Sequence, residues 1–113
     1  MAEKYPKLVR DKIPEIIKEK EGVEPTYRVL GNDTEFLVAL LKKITEEAAE
    51  VQESVENKNT EEELADLQEL IDATVKHLGK TREDIEKIQI EKREKRGGFE
   101  KRILMDEPRK PQS

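Results

Sequence analysis

The amino-acid sequence predicts an all-α protein, a small helical bundle whose core is completed by oligomerisation. Apolar residues recur at helical spacing through the middle of the chain, and residues that cap or end helices stand at the ends of these stretches. The chain has 113 residues, enough for one domain, but 34% of them are apolar and 43% are charged. Because a single chain of this composition buries little apolar surface, we expect a homo-oligomer, either a dimer or a tetramer.

Four helices are predicted in order along the chain. The first lies within residues 7–22, after an extended lead-in, with Pro14 in its first turn and Gly22 at its end. The others are expected at about residues 34–56, 60–78 and 81–95. The expected N-terminal caps, in order, are Asp11, Asn32 or Asp33, Thr60 and Thr81. Glu63 and Asp84 would complete capping boxes with the last two caps.

Two further segments, residues 26–30 and 99–105, have the composition of short strands that could pair with each other. They would be short terminal additions to the helical bundle. Residues 1–105 form the predicted domain, and residues 106–113, with two prolines and no apolar residue, form a predicted flexible tail.

Charge and hydropathy narrow the functional classes. The formal net charge is -5, whereas domains that bind nucleic acid are usually basic, so we expect no stable nucleic-acid binding. No apolar run approaches the roughly 18 residues that span a bilayer, and no signal peptide is recognisable, so we expect a cytoplasmic protein without a membrane partner. The sequence has no cysteine, which excludes disulfides and thiolate metal sites.

Two spaced acidic pairs indicate a metal site. Glu47 and Glu50 lie three residues apart on the second predicted helix, and Glu63 and Asp66 lie three apart on the third. Residues at this spacing share a helix face, and the short connection at residues 57–59 implies antiparallel helices. The four carboxylates can then converge into a set of oxygen ligands, which suits Mg²⁺ or Mn²⁺.

The competing interpretation is a solvated acidic surface, because the chain has 27 acidic residues and several other pairs share this spacing. Orientation favours the two pairs. At about 100° per residue, Glu47 lies at the edge of the apolar stripe of its helix and Glu63 lies within its stripe. Glu53, Glu62 and Glu69 point away from theirs. A carboxylate on the core side is costly unless it is paired or bound to metal.

The sequence around these acids resembles the all-α nucleoside triphosphate pyrophosphohydrolase (MazG-like) superfamily. The signature of that superfamily, Glu-x-x-Glu on one helix and Glu-x-x-Asp on the next, matches residues 47–50 and 63–66. Residues 5–17 (Tyr-Pro-Lys-Leu-Val-Arg-Asp-Lys-Ile-Pro-Glu-Ile-Ile) and residues 95–99 (Lys-Arg-Gly-Gly-Phe) resemble a subgroup of predicted house-cleaning pyrophosphatases. The resemblance covers nearly the whole chain, apart from the tail.

The resemblance implies an activity and a cofactor. A nucleoside triphosphate, expected to be a non-standard one, would be cleaved between its α and β phosphates to give a nucleoside monophosphate and pyrophosphate. The implied ligands of Mg²⁺, for which Mn²⁺ could substitute, are Glu47, Glu50, Glu63 and Asp66. Residues 43–50 also resemble phosphoribosyl-ATP pyrophosphohydrolase, which stays an alternative although Leu-Gln-Glu at residues 67–69 replaces its usual Leu-x-Tyr-His pattern.

The remaining assignments concern catalysis and substrate binding. Glu46 joins Glu47 and Glu50 in the predicted catalytic group, as a base near the metal or a further ligand. Phosphate charge calls for basic partners, and the candidates are Lys7, Arg10, Lys12, Lys43, Lys92, Lys95 and Arg96. The alternative from another class is a non-catalytic nucleotide-binding or regulatory helical oligomer, which would not need four inward acids.

Overall fold

The structure is a computed structural model that describes residues 5–108. In this range it contains no strand and four helices: α1 (Ile13–Glu21), α2 (Asp33–Asn57), α3 (Thr60–His77) and α4 (Arg82–Arg96). The predicted all-α fold class is therefore confirmed. Residues 1–4, at the start of the predicted domain, and residues 109–113, in the predicted tail, lie outside the described residues.

The chain divides into two compact units between Lys80 and Thr81. The first unit contains α1, α2 and α3, and the second contains α4 and the segment that follows it. Among the described residues, none of the helices combines the length and the apolar character needed to cross a bilayer.

The first helix begins one residue later than its predicted cap implies. The N-cap is Lys12 rather than Asp11, and no side chain caps the helix. Pro14 lies in the first turn as predicted, where a missing backbone donor costs no helical bond. Gly22 ends the helix with φ +66°, a left-handed conformation that glycine adopts without the clash of a Cβ atom.

Helices α2 and α3 pack against each other as an antiparallel pair. At one end, His77 Nε2 lies 3.1 Å from the Asp33 carbonyl oxygen, and the imidazole meets the Phe36 ring edge-on with centroids 5.1 Å apart. At the other end, the Ser54 and Thr60 hydroxyl oxygens are 3.0 Å apart. The last residue of α3 therefore touches the first turn of α2, as the predicted short connection requires.

The cap of α2 is confirmed, but the capping box predicted for α3 is wrong. Asn32 accepts a hydrogen bond from the Glu35 amide at 2.9 Å. At α3, Thr60 is the first helical residue and Asn59 is the N-cap. The Thr60 hydroxyl lies 3.0 Å from that of Ser54, a residue only 2% exposed, so Thr60 contacts α2 instead of capping α3. Glu63 is thereby left without a capping role.

Helix α4 begins with the predicted capping box. The Thr81 hydroxyl accepts a bond of 3.1 Å from the Asp84 amide, and the Asp84 carboxylate accepts one of 2.8 Å from the Thr81 amide. The helix ends at Arg96, and Gly97 follows with φ +81°. All residues of α4 are at least partly exposed.

The two predicted strands are wrong. Residues 26–30 lack a ladder of backbone bonds, and their apolar side chains Tyr27 and Val29 are 66% and 86% exposed. Residues 99–105 contain a turn, in which the Arg102 amide donates to the Phe99 carbonyl at 3.1 Å and Arg102 has φ +56°. A strand needs a paired neighbour and an extended backbone, and neither segment has both.

The core of the first unit is thin. Within residues 5–108 the buried apolar side chains are Leu40 of α2 and Val75 of α3. Two polar residues are buried with them, Ser54 and Glu47. A buried carboxylate in so small a core needs compensation from the groups around it.

Candidate metal centre

Three of the predicted acids meet between α2 and α3. Glu47 and Glu50 are one turn apart on α2, and Glu63 lies in the first turn of α3. One carboxylate oxygen from each of the three lies within 4.8 Å of the others. Glu47 and Glu50 share a face of α2 through their spacing alone. Glu63 reaches them because α3 packs antiparallel to α2.

Glu47 is the most buried member of this group, with 7% of its surface exposed. Burial raises the pKa of its carboxyl from 4.5 to about 7, and the charge of Glu50, a hydrogen bond with Glu63 and the charge of Asp66 add to the rise. At neutral pH, a buried carboxyl with such a pKa costs free energy unless it is protonated or a cation lies close to it.

Two oxygens of the group have no hydrogen-bond donor among residues 5–108. Glu47 Oε2 and Glu63 Oε2 are buried and unpartnered, as is Asn59 Oδ1. When both carboxyls are ionised, neither can donate to the other, so both of these oxygens stay without a donor. Buried polar atoms without a partner are rare in folded proteins. This pair is the pattern expected of ligands around a cation.

Asn59 holds the other oxygen of Glu63. Its side-chain amide nitrogen lies 3.3 Å from Glu63 Oε1. From the sequence, Asn59 was expected only to belong to the connection at residues 57–59. Its position four residues before an acid at a helix start is the signal that could have identified it as a partner of Glu63.

Asp66, the fourth predicted ligand, is near the three acids but is not one of the group. Its charge contributes to the raised pKa of Glu47. Its Oδ1 accepts a hydrogen bond of 2.7 Å from the Arg10 guanidinium, in an ion pair whose side chains are 57% and 43% exposed. Arg10, predicted to bind substrate, therefore stands directly beside the acidic group.

Glu46 and Lys43 also lie on α2, next to the group. The Lys43 ammonium is 3.9 Å from a carboxylate oxygen of Glu46, and the Lys43 side chain is 21% exposed. Glu46 is exposed and does not belong to the group of three acids.

Of the other predicted substrate-binding residues, two belong to the first unit and three to the second. Lys7 has its ammonium 5.2 Å from the centroid of the Tyr5 ring, and Lys12 is the exposed N-cap of α1. The remaining three lie on the exposed α4 of the second unit: Lys92, Lys95 and Arg96.

The group of Glu47, Glu50 and Glu63 could bind a metal ion. Its ligands are oxygens only, and it combines net negative charge with buried oxygens that lack donors. Hard divalent cations prefer such ligands, whereas softer metals favour nitrogen and sulfur.

Comparisons with known proteins add no relative: no family model matches the chain, and neither a curated protein nor a solved structure matches it significantly.

Proposed function

We propose that this protein is a Mg²⁺-dependent nucleoside triphosphate pyrophosphohydrolase of the MazG-like kind. It cleaves the bond between the α and β phosphates to give a nucleoside monophosphate and pyrophosphate, and non-standard nucleotides are its expected substrates. The resemblance of residues 5–17, 43–50, 63–66 and 95–99 to that superfamily supports the assignment.

One observation carries the proposal. Glu47 is buried, and oxygens of Glu50 and Glu63 lie within 4.8 Å of its carboxylate. In the part of the chain that the structure describes, Glu47 Oε2 has no hydrogen-bond donor. A solvated acidic surface would leave its carboxylates in water and would not bury one of them among the others. The burial is costly unless a cation joins the group.

The three acids would hold Mg²⁺, and Asp66 would complete the set from the next turn of α3. A divalent cation in such a site lowers the pKa of bound water and stabilises charge on phosphate oxygens. The hydrolysis adds the oxygen of one water to the α phosphorus and breaks the bond from that phosphorus to the bridging oxygen, which leaves with pyrophosphate. Glu46 is the proposed acceptor of the water proton, because it adjoins the group and is exposed to solvent.

Basic side chains beside the acids would bind the polyphosphate. Arg10 is already in contact with Asp66, and Lys43 lies one turn before Glu47 on the same helix. A guanidinium can bind a phosphate through two parallel hydrogen bonds. Lys7 and Lys12 belong to the same N-terminal segment as Arg10.

The test is pyrophosphate release from a panel of standard and modified nucleoside triphosphates, with phosphoribosyl-ATP in the panel. We expect turnover that requires Mg²⁺ or Mn²⁺. Glu50→Gln should lower kcat/KM by about 100-fold or more, equivalent to about 3 kcal/mol of transition-state stabilisation. The matched control is Glu53→Gln, an exposed acid one turn further along α2 and outside the group, which should change kcat/KM by less than about twofold.

The panel also separates the alternatives. Preferential hydrolysis of phosphoribosyl-ATP would identify the protein as a phosphoribosyl-ATP pyrophosphohydrolase instead. Nucleotide binding without turnover above the Glu50→Gln background would favour the non-catalytic module and contradict the enzymatic proposal.

A further inference from the structure

Asn59 occupies the N-cap position of α3 but does not act as a helix cap. Asparagine usually caps a helix by accepting a bond from a backbone amide of the first turn through Oδ1. Here the side chain makes no such bond, and Oδ1 is buried without a donor from any residue that the structure describes. The side chain uses its amide nitrogen instead, 3.3 Å from Glu63 Oε1.

The orientation of the Asn59 amide follows from the chemistry of its neighbour. Exchanging the amide oxygen and nitrogen would place an acceptor against the Glu63 carboxylate, which is also an acceptor. Only the arrangement with nitrogen toward Glu63 gives a hydrogen bond. The unsatisfied Oδ1 is therefore the cost of keeping the nitrogen on the carboxylate.

We propose that Asn59 is a positioning residue of the candidate metal centre, which holds Glu63 Oε1 so that Oε2 is presented to a divalent cation. This inference rests on the proposed function, because it assumes that the acidic group binds a metal. The geometry on both sides of Glu63 supports it. Oε1 has the Asn59 amide, and Oε2 is buried with no hydrogen-bond partner within residues 5–108. One oxygen of Glu63 lies within 4.8 Å of oxygens of Glu50 and the buried Glu47.

The backbone that carries Asn59 is itself fixed to α2. Thr60, the next residue, has its hydroxyl oxygen 3.0 Å from that of the buried Ser54, and the Ser54 hydroxyl donates its proton to the Val51 carbonyl at 2.6 Å. This contact sets where α3 begins relative to Glu47 and Glu50. The junction therefore orients Glu63 at two levels: Ser54 and Thr60 set the helix position, and Asn59 sets the carboxylate.

Hydrogen bonds from neighbouring groups to carboxylate ligands commonly change metal affinity by about 10–100-fold. We therefore expect Asn59→Ala to weaken Mn²⁺ binding to the full chain by about tenfold in isothermal titration calorimetry. Asn59→Ser should do the same, because serine is too short to reach Glu63 while it remains a favourable N-cap. The serine variant keeps the test valid if the alanine variant folds poorly. Asn57→Ala, at an exposed asparagine of the same junction, is the matched control and should bind Mn²⁺ like the wild type.

A second measurement separates positioning from general stability. In the Glu63→Ala background no carboxylate remains to be oriented, so adding Asn59→Ala should leave the residual Mn²⁺ affinity unchanged. An equal loss of affinity in both backgrounds would overturn the inference, as would wild-type affinity in Asn59→Ala and Asn59→Ser. Failure of the proposed metal centre itself gives a different result, since the wild-type protein would then show no Mn²⁺ binding.

Discussion

Glu47 is the residue at which burial and charge act most strongly, and its protonation has a direct consequence for stability. Without metal, the pKa of its carboxyl in the folded protein is raised from 4.5 to about 7, first by burial and then by Glu50. Between these pH values the folded state binds a proton that the unfolded state has released. The free energy of unfolding should therefore fall as pH rises through this window and level off above it.

We predict that Glu47→Gln removes this penalty. When a chelator removes divalent cations, the free energy of unfolding of the variant should exceed that of the wild type at about pH 8. The difference should shrink toward about pH 5. Urea denaturation at several pH values measures it. Saturating Mg²⁺ should reverse the order at about pH 8, because the wild type binds the cation and the variant loses a ligand. A difference that does not vary with pH would show that the carboxyl titrates normally.

Arg10 gives a second prediction at the residue scale. Its ion pair with Asp66 is exposed, so Arg10→Gln should lower the free energy of unfolding by less than about 1 kcal/mol. If Arg10 also binds phosphate, the KM for the triphosphate should rise about tenfold while kcat changes less. Steady-state kinetics measures both parameters. Arg28→Gln is the matched control, because Arg28 forms an exposed pair with Glu35 at a distance in sequence from the acids.

At the scale of elements, the contact between α2 and α3 determines whether the acids meet. Ser54→Ala removes the hydroxyl that joins the end of α2 to Thr60. Because Ser54 is buried and its loss leaves the Thr60 hydroxyl without this partner, the free energy of unfolding should fall by about 1–2 kcal/mol.

The control for this prediction is Thr45→Ala. The Thr45 hydroxyl donates within α2, to the Leu41 carbonyl at 3.2 Å, and the residue is exposed. Its removal should change the free energy of unfolding by less than about 0.5 kcal/mol. Equal effects of the two variants, measured by urea denaturation, would contradict a structural role for the Ser54–Thr60 contact.

At the scale of the whole molecule, the small number of buried apolar residues bears on assembly. Leu40 and Val75 are buried within residues 5–108, whereas Val38 and Leu41 of α2 are 60% and 48% exposed. We predict a homo-oligomer that covers part of this exposed surface. Sedimentation equilibrium should give a mass that is a multiple of 13.1 kDa, and dilution should lower the Tm, because the association stabilises the folded state by mass action. A monomer with a Tm independent of concentration would contradict the prediction.

The sequence by itself determined the helices and the identity of the acids. Apolar spacing gave the four helices to within a few residues, and local cap chemistry gave Asn32 and the Thr81 capping box, because these depend on residues close in the chain. The same local reasoning singled out Glu47 and Glu63, since their helix faces follow from spacing alone.

Only the tertiary structure decided how those acids are arranged. Thr60 was expected to cap α3, but its hydroxyl contacts the buried Ser54 of α2. The N-cap is Asn59, one residue earlier, and Glu63 pairs with the Asn59 amide. Likewise, spacing could not show that Arg10 reaches Asp66, 56 positions away. Residues far apart in sequence compete for the same buried polar groups, and only their packing in three dimensions settles which partners meet.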